Sequence, residues 1–157
     1  MANLFGPDAK AVYGQANFFS NVPTVSVVGM SNPNGLALGL DGNLFVADEA
    51  NNRILVFPPI PPSSSSLGAI GVLGQQTFET SQPGKGTNQL NTPTQIAYDA
   101  KYNCLYVADS GNNRVVRYQL APPVNNNISS VDVQVTFPTT APKVILSPKG
   151  RIYFSLF

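Results

Sequence analysis

Two charged pairs in matching segments of the chain are the first residues to consider for chemistry. Asp48 is followed five residues later by Arg53, and Asp109 is followed in the same way by Arg114. A carboxylate and a guanidinium at the two ends of a short turn can form charge-assisted hydrogen bonds that fix its geometry. Because the pair occurs twice, we predict a structural role for both copies. Ligand binding is the alternative role.

Polar residues close to these pairs are the candidates for ligand binding. Loops carried by a rigid scaffold supply many of the binding residues in proteins. The predicted strand order places the loop over residues 76–92 at the same end as the two turns that hold the charged pairs. The ligand-binding candidates at this end are Glu49, Asn51, Lys85, Asn88 and Asn112.

The residues that usually carry catalysis are scarce in this chain. The sequence contains no histidine and a single cysteine, Cys104. Without histidine, the chain lacks the usual general base for activating a serine or cysteine nucleophile. One cysteine also excludes an intramolecular disulfide and a cysteine-rich metal site. We therefore predict a protein that is not an enzyme, with no catalytic residues, no metal site and no cofactor.

The charge is low and balanced. Nine basic and eight acidic residues give a net charge of +1, and 11% of the residues are charged, against about 25% in an average domain. Such a chain does not concentrate polyanions around itself, so we expect no nucleic-acid partner. No apolar run approaches the ~20 residues of a membrane span, and the first residues lack a secretory signal. We expect no membrane association, and the compartment is left open.

The sequence repeats itself. Residues 46–53 match residues 107–114 at six of eight positions, with Val-Ala-Asp and Asn-Asn-Arg identical in both. Residues 33–37 match 93–97, and residues 12–15 match 72–75. A third, weaker copy covers residues 142–146 and 150–154 and ends before any Asp or Asn-Asn-Arg. Self-similarity at a fixed period indicates an architecture built from repeated units.

Each copy reads as short strands separated by turn residues. In the first copy the strands are predicted over residues 36–40, 44–47 and 54–57, with turn-forming Asp, Gly and Asn between them. A fourth strand is predicted over residues 69–73, and over residues 131–137 in the second copy. Most of these strands are continuous apolar runs, which indicates sheets that are covered on both faces.

These segments resemble the NHL repeat, which forms the blades of a β-propeller. The resemblance is carried by Pro-x-Gly-Leu-Ala, Asp-Gly-Asn-Leu-Phe-Val-Ala-Asp and Asn-Asn-Arg-Ile-Leu-Val-Phe, over residues 33–57 and 93–118. It implies a ring of about six four-stranded blades, more than this chain contains. Lyases that resemble NHL propellers depend on histidine, and RNA-binding NHL propellers need a basic face. This chain has neither histidine nor a basic charge excess.

The sequence thus predicts an all-β fold, a partial propeller of about three four-stranded antiparallel blades. Residues 1–157 form one segment, with copies at about 33–75, 93–137 and 142–157 and an N-terminal strand at about 10–18. We expect a homodimer that completes a ring of about six blades, in which the N-terminal strand of one chain joins the last blade of the other. The expected function is a non-enzymatic scaffold that binds a protein or a small molecule. The alternatives are a fragment of a larger NHL propeller enzyme or of an RNA-binding propeller.

Overall fold

The computed structural model describes residues 8–59, 66–121, 143–146 and 152–155. The chain divides into two compact units, Met1–Pro123 and Val124–Phe157. The strands of the first unit are β1 (Val12–Tyr13), β2 (Pro33–Leu38), β3 (Leu44–Asp48), β4 (Arg53–Phe57), β5 (Ser66–Leu67), β6 (Gly71–Leu73), β7 (Pro93–Asp99), β8 (Cys104–Asp109) and β9 (Arg114–Gln119). Those of the second unit are β10 (Lys143–Leu146) and β11 (Ile152–Ser155).

The first sheet is antiparallel and has the strand order β2-β3-β4-β6. A tight turn joins β2 to β3, in which the Gly39 N–H donates to the Asn43 carbonyl and the Asp41 carboxylate accepts the Asn43 N–H. Gly42 has a φ of 81°, a conformation that glycine adopts without a steric penalty. The Asp-Gly-Asn sequence thus forms the turn that it predicts.

The second sheet repeats the arrangement with the order β7-β8-β9, again antiparallel. The all-β prediction with antiparallel sheets is confirmed for these four- and three-stranded sheets. The fourth strand predicted at residues 131–137 lies outside the described residues. Among the described residues the only helices are two 3-10 turns, Glu49–Asn51 and Ser110–Asn112, and none is long and apolar enough to cross a membrane.

The two sheets pack face to face through alternating residues. Phe45, Ala47 and Ile54 point from the first sheet into one buried cluster, and Leu105 and Val107 point into it from the second. Side chains alternate across a strand, so Val46 and Leu55 of the first sheet point the opposite way. They form a second buried cluster, whose other buried members are Met30, Phe57 and Ala69. The first sheet is therefore apolar on both faces, as its continuous apolar runs predicted.

A loop leads into the first strand of each sheet. We call residues 15–32 the first lead-in loop and residues 75–92 the second. Each follows a glycine with positive φ, Gly14 at 76° and Gly74 at 86°. A Cβ at Gly14 would lie 2.0 Å from Met30 Cε, and one at Gly74 would lie 2.6 Å from Leu90 Cδ1. The repeated Gly-Gln sequence thus supplies the close approach that lets each loop fold back over the core.

The N-terminal strand is shorter than the predicted 10–18 and pairs within its own chain. β1 pairs in parallel with β5, with Val12 opposite Ser66 and Tyr13 opposite Leu67. The sequence did not predict this pairing, which forms because the chain returns to β1 between β4 and β6. Tyr13 is further held by an edge contact with Phe57, with ring centroids 5.2 Å apart.

The second unit contains one antiparallel strand pair in the described residues. β10 pairs with β11 so that Val144 lies opposite Phe154 and Ile145 opposite Tyr153. These strands coincide with the apolar runs of the weak third copy. That copy therefore has β structure where its sequence predicts strands.

Candidate functional site

The Asp48–Arg53 pair lies at the end of β3 and the start of β4. The Arg53 Nε donates to Asp48 Oδ2 over 2.7 Å, and both side chains are fully buried. The second carboxylate oxygen, Oδ1, accepts the Ser31 N–H at 2.6 Å. The carboxylate thus joins the turn to the end of the first lead-in loop through charge-assisted hydrogen bonds.

The guanidinium of Arg53 holds the same loop through its outer nitrogens. Its Nη2 donates to the carbonyls of Ser26 and Gly29, over 3.1 and 3.0 Å. Its Nη1 donates to the carbonyl of Phe78, in the second lead-in loop. Arg53 therefore fastens the loops of both copies to the first sheet.

The second copy builds the equivalent cluster on β8 and β9. Arg114 Nε donates to Asp109 Oδ2 over 2.7 Å. Its Nη2 donates to the carbonyls of Gly86 and Gln89, which lie 60 residues after the two loop carbonyls held by Arg53. The two clusters differ at Nη1, because that of Arg114 donates to the carbonyl of Lys85 in the loop of its own copy. Arg114 is 34% exposed, whereas Arg53 is buried.

The candidates Asn51 and Asn112 belong to these clusters. The Asn51 amide donates to Asp48 Oδ2 at 2.9 Å and to the carbonyl of Thr24 at 3.1 Å. The Asn112 amide donates to Asp109 Oδ2 at 2.8 Å and to the matching carbonyl of the second loop at 2.7 Å. The amide N–H groups of both residues are therefore engaged within the chain, where they help to hold the lead-in loops.

The other asparagine of each turn, Asn52 or Asn113, closes it in the left-handed conformation, with φ of 54° and 53°. Asparagine tolerates this region better than most residues. Asn52 also reaches the second lead-in loop. Its amide donates to the Ser81 carbonyl at 3.0 Å, its Oδ1 accepts the Thr92 N–H at 2.8 Å, and its carbonyl accepts Gln75 Nε2 at 3.0 Å.

The remaining ligand-binding candidates are separated by the fold. Glu49 accepts a hydrogen bond from the Asn34 amide at 2.9 Å, on the outer side of the first turn. The Lys85 side chain is exposed, and its backbone carbonyl supports Arg114. Asn88 alone of the five candidates lines the cavity described next.

A cavity of about 210 Å³ lies within the second lead-in loop. Its lining consists of six uncharged residues with amide or hydroxyl side chains: Gln75, Gln76, Thr80, Gln82, Asn88 and Gln89. Gln75 is fixed by donating to the carbonyls of Asn52 and Gln82. Gln89 is fixed by accepting the Gly86 N–H at 3.1 Å.

The other amides of the cavity are free to bind. The side chains of Gln76, Gln82 and Asn88 are exposed and make no hydrogen bond with any residue that the structure describes. Each primary amide offers two donors and one acceptor oxygen. The cavity therefore presents rigid amide walls beside three unpartnered amides, an arrangement suited to hydrogen bonding with an uncharged polar ligand.

Sequence reasoning missed five of the six cavity residues. Gln75 has a signal, since the Gly-Gln sequence recurs at Gly14-Gln15. The Gln15 side chain donates to the Val22 carbonyl as that of Gln75 donates to the Gln82 carbonyl. The other four residues converge through the path of the loop, which has no periodic pattern to read.

Two titratable side chains of the second sheet, Tyr118 and Cys104, do not line this cavity. Burial raises the pKa of the Tyr118 hydroxyl, with a further contribution from the negative charge of Asp109. The Tyr118 hydroxyl and Asn112 Oδ1 are buried atoms with no hydrogen-bond partner among the described residues. The Cys104 thiol is buried at the start of β8. Within the described ranges, no three His, Cys, Asp or Glu side chains are grouped as metal ligands.

The family model of the NHL repeat matches residues 30–57. This range contains the lead-in residue Ser31, all of β2, β3 and β4, and the Asp48–Arg53 pair. The NHL resemblance read from the sequence is thus confirmed, and the chain carries an NHL repeat.

Two curated proteins are similar to part of the chain. The peptidyl-glycine alpha-amidating monooxygenase of Mus musculus is 31% identical over 87 residues, and the peptidylglycine alpha-amidating monooxygenase of Rattus norvegicus is 30% identical over the same length. In both cases the match covers 55% of this chain and 8% of the relative. The chain therefore spans a small part of the length of these relatives.

Proposed function

We propose that this chain is a non-enzymatic binding scaffold of NHL blades that takes an uncharged polar peptide segment into the amide cavity of its second lead-in loop. The observation that carries the proposal is the composition of the cavity. Peptide groups and amide side chains each combine donors with acceptors, and the free amides of Gln76, Gln82 and Asn88 complement them.

The size of the cavity and the absence of charge in its lining limit which ligands it can bind. Cavities for drug-sized ligands measure about 300–1,000 Å³, so about 210 Å³ accommodates one side chain or a short stretch of backbone. The lining contains no charged side chain to pair with an anion or a cation, and no aromatic ring on which a sugar or base could stack. A neutral polar peptide satisfies these limits best.

A catalytic role has less support. General acid–base catalysis requires a titratable group within reach of the bound ligand, and the cavity lining has none. The sequence has no histidine. The Asp48 and Asp109 carboxylates are committed to the loop supports. A net charge of +1 also disfavours binding to nucleic acid.

Peptide binding can be tested with cavity variants. An array of uncharged peptides rich in Asn, Gln, Ser and Gly serves as the probe, with fluorescence anisotropy as the readout. We expect Gln76→Ala and Asn88→Ala each to weaken the best binder several-fold, since each loses hydrogen bonds worth roughly 0.5–1.5 kcal/mol. The control Thr87→Ala lies on the same loop outside the lining and should bind normally. Equal binding by all four proteins would reject the cavity as the site.

A second candidate is a segment of a larger NHL propeller enzyme. The similarity to the two amidating monooxygenases favours it. Conversion of a peptidyl-glycine to a peptide amide and glyoxylate by the pure chain, supplied with dioxygen and a reductant, would establish this candidate and reject a purely binding role. Salt-sensitive, submicromolar binding to single-stranded RNA would instead support an RNA-binding propeller.

The scaffold is also proposed to act as a homodimer that closes a ring of about six blades. The support comes from exposed apolar side chains on the outer face of the first sheet, Leu36 and Leu38. Apolar surface that is exposed on repeat units is normally covered by a neighbouring unit.

A further inference from the structure

We infer that the peptide bound by the amide cavity also carries an apolar side chain, which docks on an apolar patch of the first lead-in loop. The patch consists of Phe19, Val22 and Val28, which are 97%, 60% and 42% exposed. We call these three residues the loop patch. The inference rests on the proposed peptide-binding function and adds a second contact for the same ligand.

The two lead-in loops have the same backbone features at equivalent positions. In the first loop, the Asn17 side chain accepts the Phe19 N–H at 2.9 Å. In the second loop, 60 residues later, the Thr77 hydroxyl accepts the Glu79 N–H at 3.3 Å. The last residue of each loop has a left-handed φ, 55° in the first and 51° in the second. Phe19 and Glu79 therefore occupy equivalent places in two similar loops.

The stacking of one sheet on the next does not account for the loop patch. The residues 60 positions later in the second loop are polar, namely Glu79, Gln82 and Asn88. The first sheet holds the second loop through Asn52 and Arg53, and these three polar residues nevertheless remain exposed. A sheet that preceded the first loop in the same way would therefore leave the loop patch exposed.

The neighbouring Phe18 differs from the patch in this respect. Phe18 is 49% exposed, but its counterpart Phe78 packs against the buried cluster of the first sheet. A preceding sheet would thus account for Phe18 and leave Phe19 uncovered. Exposed apolar side chains that are grouped on one surface mark interaction sites. The loop patch is therefore a candidate surface for a ligand rather than for a neighbouring sheet.

The turn after β3 brings the loop patch close to the amide cavity. Two adjacent asparagine amides of this turn donate to the carbonyl of Thr24 in the first loop, over 3.1 Å, and of Ser81 in the second, over 3.0 Å. Thr24 lies two residues after Val22 of the patch. Ser81 directly precedes Gln82 of the cavity. Successive residues of an extended peptide are about 3.3 Å apart, so a segment of a few residues can contact both loops.

The chemistry of the two contacts defines the ligand. The loop patch offers an aromatic ring and two aliphatic side chains, and an aromatic ring packs well against another ring. The peptide should therefore carry a phenylalanine or a similar side chain next to its uncharged polar segment. A membrane surface is the other apolar phase that an exposed phenylalanine can enter, and membrane-binding segments usually add basic residues. Residues 15–32 contain no lysine or arginine, which favours a peptide.

The test uses substitutions taken from the second loop. Phe19→Glu and Val22→Gln introduce residues that the second loop already carries at the equivalent positions, so folding should be unaffected. The probes are the best binder of the uncharged peptide array and derivatives in which phenylalanine replaces one residue at a time. Fluorescence anisotropy gives the affinities. We expect one derivative to bind the wild-type chain about tenfold more tightly than its parent peptide, because buried aromatic side chains contribute much of the binding energy at interfaces.

The two patch variants should lose most of this gain and bind the parent peptide normally. Val22→Gln adds no charge, so it separates the loss of apolar contact from an electrostatic effect. As a control, Tyr102→Gln removes a 56% exposed aromatic side chain from the turn between β7 and β8. This turn lies at the end of β7 away from the second lead-in loop, so the control should bind both peptides like wild type.

The cavity variant Gln76→Ala distinguishes this inference from the proposed function. It should weaken the parent peptide and the phenylalanine derivative alike. If Gln76→Ala weakens both peptides and Phe19→Glu weakens neither, the loop patch is overturned and the cavity is kept. If Gln76→Ala weakens neither peptide, the proposed function is overturned, and this inference with it. Binding of phosphatidylcholine vesicles that Phe19→Glu abolishes, without any gain from phenylalanine in the peptides, would overturn the inference in favour of a membrane surface.

Discussion

At the scale of single residues, the two aspartate–arginine pairs act as loop anchors. Each carboxylate accepts a backbone N–H of a lead-in loop, and each guanidinium donates to loop carbonyls. Surface ion pairs contribute little to stability. A buried pair whose remaining polar atoms are also satisfied is strongly destabilised when one partner is removed. The contribution of each ion pair to the free energy of unfolding therefore depends on its burial. The two pairs differ in burial, because Arg53 is fully buried and Arg114 is partly exposed.

Arg53→Met should destabilise the protein more than Arg114→Met. Arg53 is fully buried and its removal leaves the Asp48 charge uncompensated, a loss of about 3–5 kcal/mol in the free energy of unfolding. Arg114 is 34% exposed, so water compensates part of its loss. Urea unfolding followed by circular dichroism measures the difference. Equal losses in the two variants would contradict the burial argument.

Ionisation of Tyr118 should lower the stability of the protein at alkaline pH. Burial and the Asp109 charge raise its pKa, so the folded protein holds the phenol proton to a higher pH than the unfolded chain, whose tyrosine has the ordinary value of about 10. Stability is complete below that value and falls as the pH rises through the folded pKa. Tyr118→Phe should reduce this alkaline loss, measured by urea unfolding at pH 8 and above.

The same substitution should not destabilise the protein at pH 7. Tyr118 lies 61 residues after Phe57, so phenylalanine already occupies the equivalent position of the first sheet. The Tyr118 hydroxyl is buried without a partner among the described residues, and such a group costs about 1–3 kcal/mol. A clear loss of stability in Tyr118→Phe at pH 7 would show that the hydroxyl is satisfied after all.

At the scale of strands and loops, the sequence repeat predicted the strands of the two sheets, but it did not predict the paths and contacts of the loops. The Asp-Gly-Asn turn and the apolar runs around it predicted β2, β3 and β4, because strand formation follows local pattern. The carbonyls that Arg53 and Arg114 hold belong to Ser26, Gly86 and their neighbours. A backbone carbonyl has no residue-type signature, so these acceptors could not be read from the sequence.

The pairing of the N-terminal strand could not be predicted from the sequence either. β1 pairs in parallel with β5, a contact that depends on the route of the Pro- and Ser-rich stretch after β4. Such a stretch predicts a loop without predicting its direction. The charged pairs could be predicted because both partners are side chains in a repeated motif. The cavity and the β1 pairing could not, because they depend on the backbone path of the loops.

Asn52 is the main polar link between the first sheet and the second lead-in loop. Asn52→Gly keeps the left-handed backbone accessible and removes the side-chain contacts with Ser81 and Thr92. We expect faster hydrogen exchange of the Thr92 amide, because its acceptor is lost. Asn113→Gly makes the same change in the second turn and should leave Thr92 protected. Unchanged exchange in Asn52→Gly would show that this contact does not hold the loop.

At the scale of the whole molecule, the described part of the chain contains two repeated sheets, and the first has exposed apolar side chains on its outer face. Repeat units bury their apolar faces by stacking on neighbours. We propose that a second copy of the chain stacks on the first sheet and covers Leu36, which is 64% exposed in the NHL repeat of residues 30–57.

Sedimentation equilibrium of the wild-type chain tests that claim most directly, because it gives the mass without reference to shape. The chain has a mass of 16.7 kDa. At micromolar concentrations and physiological salt, we predict a single species of twice that mass. It should persist in high salt, since apolar burial carries the contact. A species that stays at 16.7 kDa across the whole concentration range would contradict the account.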